Sequence, residues 1–270
     1  MEINKCYNEN CLDTMARMPD NFVDLTVTSP PYDNLRTYNG YSFDFEAVAK
    51  ELFRVTKQGG VVVWVVGDAT IKGSETGTSF KQALYFKEIG FDLFDTMIWN
   101  KESGGGIGSL SRYENVFEYM FVLSKGKPKT TNIIMDKPNK HAGTIVKSSI
   151  RQPDGYVRKT SVYGKRNVRE FGRRWNVWHI MPAKTKSERL HPAPFSEQLA
   201  NDHIHSWSNE GDLVYDPFMG SGTTAKMAII NKRNWVGSEI SEEYCKIVER
   251  RITTASTDTF DLFCSLLHGS

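Results

Sequence analysis

The chain has 270 residues, 39% hydrophobic and 24% charged, which are ordinary values for a globular protein able to bury a substantial core. No run approaches the roughly 20 apolar residues of a membrane helix, and the first ten residues resemble no signal peptide. Four cysteines without a CxxC pair exclude a zinc ribbon and a disulfide framework. We therefore expect a cytoplasmic protein with free thiols and no metal site.

Predicted strands and helices alternate through the first half of the chain. The β-branched run Val23–Thr28 predicts a strand that stops at two prolines. The run 61–66 (VVVWVV) is continuously apolar, which is typical of a strand buried on both faces of a parallel sheet. Helical spacing of apolar residues predicts helices over 45–55 and 79–89, and apolar runs predict strands over 94–99 and 116–123.

The segment from about 125 to 189 has little periodicity and is rich in Gly, Lys, Arg, Asn and Pro, which indicates an insertion. Between Lys137 and Arg189 it holds fourteen Lys or Arg against three acids, a net +11. The whole chain carries +2, so everything else sums to −9. Five aromatics are interleaved: Tyr156, Tyr163, Phe171, Trp175 and Trp178. Because cations bind phosphates and aromatic rings stack on bases, the segment is either a polyanion-binding surface or a solvated basic loop.

After the insertion, short strands are predicted over 213–215 and 235–238, and helices over 223–231 and 242–252. Strands that alternate with helices imply an α/β sheet with crossover connections.

The first motif, Thr28-Ser29-Pro30-Pro31-Tyr32, directly follows a predicted strand. In an α/β sheet, the loop at the carboxyl end of a strand faces the ligand crevice. The Ser29 hydroxyl oxygen and the Pro30 carbonyl would form a rigid pair of acceptors for both hydrogens of an aromatic amine. Tyr32 could stack on a base removed from its duplex. The alternative is a strand that merely ends in a stiff Pro-Pro turn.

The second motif is a glycine turn, Asp216-Pro217-Phe218-Met219-Gly220-Ser221-Gly222-Thr223-Thr224, between a predicted strand and a helix. Glycines there let backbone amides approach a ligand closely. Glu239 follows Gly220 by nineteen residues, where βαβ nucleotide units carry the acid that binds ribose. Asp216 would repel a triphosphate, whereas a cationic nucleoside such as S-adenosylmethionine fits. A generic strand–Gly–helix turn is the alternative.

Together the two motifs resemble those of the bacterial and phage DNA amino-methyltransferases, and the likeness runs along most of the chain. Residues 191–197 (HPAPFSE) are similar to the segment that covers the methionine part of the cofactor, and Asn10 stands where the family commonly has Asp near the adenine. The resemblance implies an S-adenosyl-L-methionine site formed by Asn10, Thr28, Ser196, Asp216, Pro217, Phe218, Gly220, Ser221, Gly222, Thr223, Thr224 and Glu239.

The motifs come in the order of the permuted β class: catalytic motif, basic region, cofactor loop. The resemblance therefore implies an α/β, Rossmann-like methyltransferase fold, circularly permuted, with a mostly parallel seven-stranded sheet, helices on both faces and a small irregular target-recognition insertion. We predict a catalytic half over 1–126, a basic target-recognition region over 127–190, a cofactor-binding half over 191–252 and a tail over 253–270.

The implied reaction moves a methyl group from S-adenosyl-L-methionine to the exocyclic amine of a flipped base and leaves S-adenosyl-L-homocysteine. Ser29, Pro30, Pro31 and Tyr32 would position the amine for a direct in-line displacement. Serine before Pro-Pro-Tyr is associated in the family with cytosine, so we expect N4-methylcytosine. N6-methyladenine is the alternative, and an RNA or protein substrate or an inactive DNA-binding module are more distant ones.

Double-stranded DNA is the expected partner, in a restriction-modification context. A homodimer, a cognate restriction endonuclease and a sliding-clamp contact through residues 257–263 are left open; for that tail, packing of its own Phe and Leu residues is the alternative. The cations expected along the DNA path are Lys101, Arg112, Lys147, Arg151, Arg158, Lys159, Lys165, Arg166, Arg169, Arg173 and Arg174.

Overall fold

A computed structural model describes residues 1–31, 43–102, 111–182 and 196–268, with the backbone alone over 256–268. The chain divides into two compact units, one formed by Met1–Asn132 with Asn176–Ser270 and the other by Ile133–Trp175. No helix in the described ranges has the length and apolar character needed to span a membrane.

The larger unit alternates strands and helices, whereas the smaller unit holds short strands. The strands of both units are β1 (Lys5–Tyr7), β2 (Val23–Thr28), β3 (Thr56–Val66), β4 (Thr70–Ile71), β5 (Ser74–Glu75), β6 (Asp92–Asn100), β7 (Phe117–Ser124), β8 (Lys137–Pro138), β9 (Ser149–Arg151), β10 (Val157–Lys159), β11 (Phe171–Gly172), β12 (Val177–His179), β13 (Leu213–Asp216) and β14 (Asn234–Ser238). The helices are α1 (Cys11–Ala16), α2 (Phe45–Val55), α3 (Thr78–Glu88), α4 (Glu197–Trp207), α5 (Thr223–Ile230) and α6 (Glu242–His268).

The main sheet has the order β1-β14-β13-β2-β3-β7-β6-β12. All of its pairings are parallel except those of β7, which runs opposite to β3 and β6. We joined the two chain ends in thought and renumbered the strands of the main sheet in chain order, with β13 as the first. The first seven positions of the sheet then read 3-2-1-4-5-7-6. The expected α/β fold with a mostly parallel, permuted sheet is thereby confirmed.

Helices cover both faces of this sheet because β3 buries side chains in both directions. Val61, Val63 and Val65 belong to a core cluster that includes residues of α4, α5 and α6. Val62, Trp64 and Val66 belong to a second cluster with residues of α1, α2 and α3. Successive residues of a strand point to opposite faces, so a continuous apolar run requires this double coverage.

The local sequence of helix α2 determines where the helix begins and which face is buried. The Asp44 side chain accepts a hydrogen bond of 3.1 Å from the Ala47 N–H and so satisfies one of the free donors at the helix start. Val48, Leu52 and Val55 are buried along one face. The helix runs over the predicted residues because the cap and the apolar spacing agree.

The sheet has eight strands in the described residues rather than the predicted seven. The additional edge strand β12 comes from sequence that we had assigned to the basic region, and it pairs in parallel with β6. Trp178 of this strand is buried and stacks on His203 with ring centroids 4.5 Å apart. Trp178 is therefore a core residue of the main sheet, and its assignment to the aromatics interleaved with the basic segment was wrong. Helix α6 also continues to His268 instead of ending at 252.

The smaller unit consists of short antiparallel pairs. Strand β9 pairs with β10, β8 pairs with β11, and an isolated bridge joins Ile145 to Asn167. Inside it, Lys137 lies over the Trp175 ring at 4.7 Å, and Lys159 lies over the Tyr163 ring at 4.6 Å. A unit of this size has little apolar core, and these contacts between cations and aromatic rings contribute to its packing.

Candidate active site

The candidate site lies where β2 and β13 end. These parallel neighbours occupy the middle of the sheet, and the chain leaves them in opposite directions, from β2 toward β3 and from β13 toward β14. Such a reversal opens a crevice beyond the carboxyl ends of the two strands. Thr28 ends β2 and Asp216 ends β13, so both sequence motifs begin at this crevice.

Asp216 is buried and joins the two motifs. Its Oδ1 accepts hydrogen bonds from the Thr28 hydroxyl at 2.6 Å and from the Phe218 N–H at 3.0 Å. Its Oδ2 accepts from the Thr224 hydroxyl at 2.7 Å. Burial raises the pKa of this carboxyl above its ordinary value, and the three donors only partly oppose that rise. The carboxylate therefore fixes the start of the glycine turn against the end of β2.

The glycine turn depends on left-handed backbone at two positions. Gly220 has φ 53° and Gly222 has φ 83°, a region that favours glycine. A Cβ on Gly222 would also lie 3.1 Å from a methyl carbon of Val248. Pro217 is buried, and the half-buried Phe218 ring packs edge-on against Phe43 at 5.3 Å. The side chains of the turn face the protein, which leaves its backbone to meet a ligand.

Glu239 stands beside the glycine turn, directly after β14. Its Oε2 accepts a hydrogen bond of 2.8 Å from the Gly220 N–H, and its Oε1 accepts one of 2.9 Å from the Ser241 N–H. Burial raises the pKa of this carboxyl, and the charge of Asp216 raises it further. The glycine turn and Glu239, which together suggested nucleotide binding, are therefore in direct contact.

Two other predicted cofactor residues cap helices near this crevice. The Asn10 side chain accepts a hydrogen bond of 2.9 Å from the Leu12 N–H and begins α1. Ser196 is buried and is the N-cap residue of α4. Residues 191–195 of the preceding segment lie outside the described residues. Asn8 reaches the same strand end, since its side-chain amide donates to the Glu239 carbonyl at 2.9 Å.

The catalytic motif continues directly from Thr28. Pro30 is buried, Ser29 and Pro31 are half-buried, and Tyr32 lies outside the described residues. The hydrogen bond between the Thr28 hydroxyl and Asp216 holds the backbone just before Ser29 beside the glycine turn. The sequence placed the two motifs on separate strands, and the sheet makes those strands neighbours.

The chemistry of the site suits a positively charged nucleoside. Two carboxyl groups, Asp216 and Glu239, are held near the turn, and the donors that bind them are hydroxyls and backbone N–H groups. No cation is among the groups that lower their pKa values in the described residues. Negative charge beside the turn fits a sulfonium nucleoside such as S-adenosyl-L-methionine and disfavours a triphosphate.

Three of the predicted DNA-contacting cations have partners within the protein. Lys101 forms an ion pair with Glu118, and Arg112 donates to the Gly73 carbonyl. Arg174 donates from Nε to Asp136 at 2.9 Å. The other predicted cations form no ion pair with an acid in the described part of the chain, and all are exposed: Lys147, Arg151, Arg158, Lys159, Lys165, Arg166, Arg169 and Arg173.

A shallow pocket of about 380 Å³ lies within the smaller unit. Arg166, Arg169 and Arg173 supply its positive charge. The rest of the lining combines apolar side chains with amides: Met135, Asn139, Val146, Asn167, Val168, Phe171 and Gly172. Cations and apolar side chains in one lining provide both phosphate-binding and stacking surfaces.

Comparison with known proteins assigns the family. Residues 23–250 match the N6/N4 methyltransferase family model, which is described as DNA methylase. The chain belongs to this family. It is an S-adenosylmethionine-dependent DNA methyltransferase that acts on an exocyclic amine. The expectations for the family, the enzyme class and the cofactor are confirmed.

Two similar relatives cover most of this methyltransferase. The orphan methyltransferase M.BamHII of Bacillus amyloliquefaciens is 57% identical over 237 residues, which cover 85% of this chain and 88% of that protein. The type II methyltransferase M.MjaI of Methanocaldococcus jannaschii is 30% identical over 234 residues, which cover 81% of this chain and 69% of that protein.

Solved structures share the fold. TTHA0409 of Thermus thermophilus, in complex with S-adenosyl-L-methionine, aligns with a TM-score of 0.64 and 24% identity over 93% of this chain and 94% of that chain. The PvuII DNA methyltransferase, described as cytosine-N4-specific, aligns with a TM-score of 0.66 and 20% identity over 98% and 93%.

Proposed function

We propose that this methyltransferase methylates the N4 amino group of cytosine in double-stranded DNA, with Ser29, Pro30, Pro31 and Tyr32 as its catalytic residues. The observation that most directly supports these catalytic residues is the hydrogen bond of 2.6 Å between Thr28 and Asp216. It holds the residue that precedes Ser29 against the first residue of the glycine turn. An amine bound at Ser29 would therefore lie next to a cofactor bound at the turn.

The glycine turn and Glu239 would hold the cofactor, with Asn10 at its adenine end and Ser196 at its methionine end. Glu239 would bind the ribose hydroxyls, and the backbone of 220–224 would face the nucleoside. When bound, S-adenosyl-L-methionine supplies an electrophilic methyl group on a sulfonium and departs as S-adenosyl-L-homocysteine. The negative charge of Asp216 and Glu239 favours this cation over the neutral product.

Ser29 and Pro30 would act on the amine itself. The exocyclic nitrogen is conjugated with its ring and is a poor nucleophile. If the Ser29 Oγ accepts one amine hydrogen and the Pro30 carbonyl accepts the other, the nitrogen becomes more tetrahedral and its lone pair points toward the methyl group. As the methyl group is transferred, the amine releases one proton to solvent. The buried Pro30 and its neighbour Pro31 keep these acceptors in place, so little reorganisation is needed during transfer. Tyr32 would stack on the flipped base.

The choice of cytosine rests on Ser29, because serine at this position is associated with cytosine in the family that the motif resembles. Mass spectrometry of nucleosides from DNA incubated with the enzyme and S-adenosyl-L-methionine tests it. We expect N4-methylcytosine. N6-methyladenine as the sole product would overturn the choice of base but keep amine methylation, and 5-methylcytosine would overturn the mechanism as well.

The smaller unit, Ile133–Trp175, would bind the DNA. It contains eleven Lys or Arg against three acids. The eight predicted cations that are exposed and form no ion pair within the described ranges provide a surface for phosphates. In the pocket, Arg166, Arg169 and Arg173 are suited to guanine edges, since arginine binds the two acceptors of guanine in the major groove.

A further inference from the structure

One guanidinium of helix α6 contacts the glycine turn and the start of α4 together. Arg251 Nη1 donates to the Ser221 carbonyl and to the Ser221 hydroxyl, both at 2.9 Å, and to the Thr223 hydroxyl at 3.3 Å. Its Nη2 donates to Glu197 Oε1 at 2.6 Å. The Arg251 side chain is only 12% exposed. Ion pairs at full exposure contribute little, but this one is largely shielded and bonded at both ends.

The Ser221 carbonyl is a sensitive point of the turn. It lies between Gly220 and Gly222, the two residues with positive φ. A peptide between two glycines has few side-chain constraints on its orientation, so a bond to its oxygen restricts the direction of the neighbouring N–H groups. Val248, which lies three residues before Arg251 on α6, packs against Gly222 from the same helix. Helix α6 thus supports the turn at two places.

Glu197 connects this support to the start of α4. It is the first residue of α4 and directly follows Ser196. Its carboxylate also accepts from Lys226 Nζ at 2.8 and 2.9 Å. Lys226 neutralises Glu197 as Arg251 does, yet it has no hydrogen bond to Ser221 or Thr223 in the described residues. A lysine carries a compact charge, whereas the planar fork of arginine can bond two groups at once.

We infer that Arg251 is a positioning residue for the cofactor: it fixes the Ser221 peptide and ties the glycine turn to the start of α4. The inference rests on the proposal that the glycine turn holds S-adenosyl-L-methionine. In this role Arg251 acts through its bonds to Ser221, Thr223 and Glu197. Its loss should weaken cofactor binding without changing the DNA surface or the acceptors at Ser29.

Calorimetric titration of the full chain with S-adenosyl-L-methionine provides the test. Arg251→Met should raise the Kd roughly tenfold, as expected for lost hydrogen bonds of a charged group. Arg251→Lys should recover only part of this loss. Lys226→Met keeps the contacts to the turn and Arg250→Met changes an exposed neighbour, so each should stay within about twofold of the wild type. The Kd for DNA should be unchanged in all four.

A folded Arg251→Met variant that binds the cofactor like the wild type would overturn the inference. An equal loss in Lys226→Met would do the same, because it would assign the effect to the charge of Glu197 alone. Should Arg251→Met fail to fold, Arg251→Lys decides, and unchanged affinity in that variant contradicts the inference. A parallel titration of Glu239→Gln tests the proposed cofactor site itself. Normal binding by both Glu239→Gln and Arg251→Met would contradict the proposed site, whereas weaker binding by Glu239→Gln with normal binding by Arg251→Met would contradict only the role of Arg251.

Discussion

The Thr28 hydroxyl donates a hydrogen bond of 2.6 Å to the Asp216 carboxylate, which links the last residue of β2 to the last residue of β13. Thr26, two residues earlier on β2, is also buried, but its hydroxyl has no hydrogen-bond partner in the described structure. The two threonines therefore differ in their bonding while sharing a strand, a face and full burial. Of the two, Thr28 is the one that connects the catalytic motif to the glycine turn.

This difference makes a matched pair of substitutions informative. Thr28→Val removes a donor from a buried carboxylate, so it should lower the free energy of unfolding by about 1–3 kcal/mol and reduce kcat. Thr26→Val replaces a hydroxyl without a partner by a methyl group and should be neutral or stabilising. Urea unfolding and steady-state kinetics measure both effects. Equal behaviour of the two variants would contradict the role given to the Thr28–Asp216 bond.

Cofactor affinity should depend on pH through Glu239. Burial and the charge of Asp216 raise the pKa of its carboxyl. As the pH falls through that raised pKa, Glu239 takes up a proton and loses both its negative charge and an acceptor for the ribose. The Kd for S-adenosyl-L-methionine should therefore rise at a pH above that at which an ordinary glutamate protonates. Titration calorimetry at stepped pH values measures this.

Glu239→Gln is the control for that pH dependence. The variant should bind the cofactor more weakly at neutral pH and show a flatter profile, since glutamine does not titrate. Asp216, whose pKa is also raised by burial, should still contribute a slope in the variant. An unchanged profile in Glu239→Gln would show that Glu239 does not carry the effect.

The smaller unit offers another matched pair in adjacent arginines. Arg173 lines the pocket and is exposed, whereas Arg174 is bound to Asp136. Arg173→Ala should weaken DNA binding and reduce the slope of log K against log salt by about one, as for one lost phosphate contact. Arg174→Ala should change the slope less. Fluorescence anisotropy at several salt concentrations compares them, and a larger slope change in Arg174→Ala would contradict the assignment.

Much of the fold followed from sequence because local signals and packing agree. The strand Val23–Thr28 and the helix Phe45–Val55 have the predicted bounds, since each has clear apolar patterning and a definite start or stop. The short strands β1 and β12 were missed. Three residues give too little periodicity, and they form strands because a neighbouring strand is available for pairing.

The site was predicted in its parts but not in its connections. The sequence placed Asp216 in the cofactor loop, yet nothing in it showed that Thr28 would bind its carboxylate. Arg251 was missed because a single arginine in a helix is usually solvated, and its partners are 28 to 54 residues away. Lys101 was predicted to contact DNA from its charge, and nothing in the sequence showed that it would pair with Glu118. Long-range partners of polar side chains are the information that a local pattern lacks.

The most direct test of the central claim is a single-turnover measurement with Ser29→Ala, at saturating DNA and S-adenosyl-L-methionine. Removing the Ser29 acceptor should lower the rate of methyl transfer by about 100-fold, the typical loss for one positioned polar group, while the Kd for the cofactor stays unchanged. Tyr32→Ala should likewise lose transfer and retain cofactor binding. Near-native turnover by Ser29→Ala would contradict the account, because the amine would then be activated without the residue that Thr28 and Asp216 hold in place.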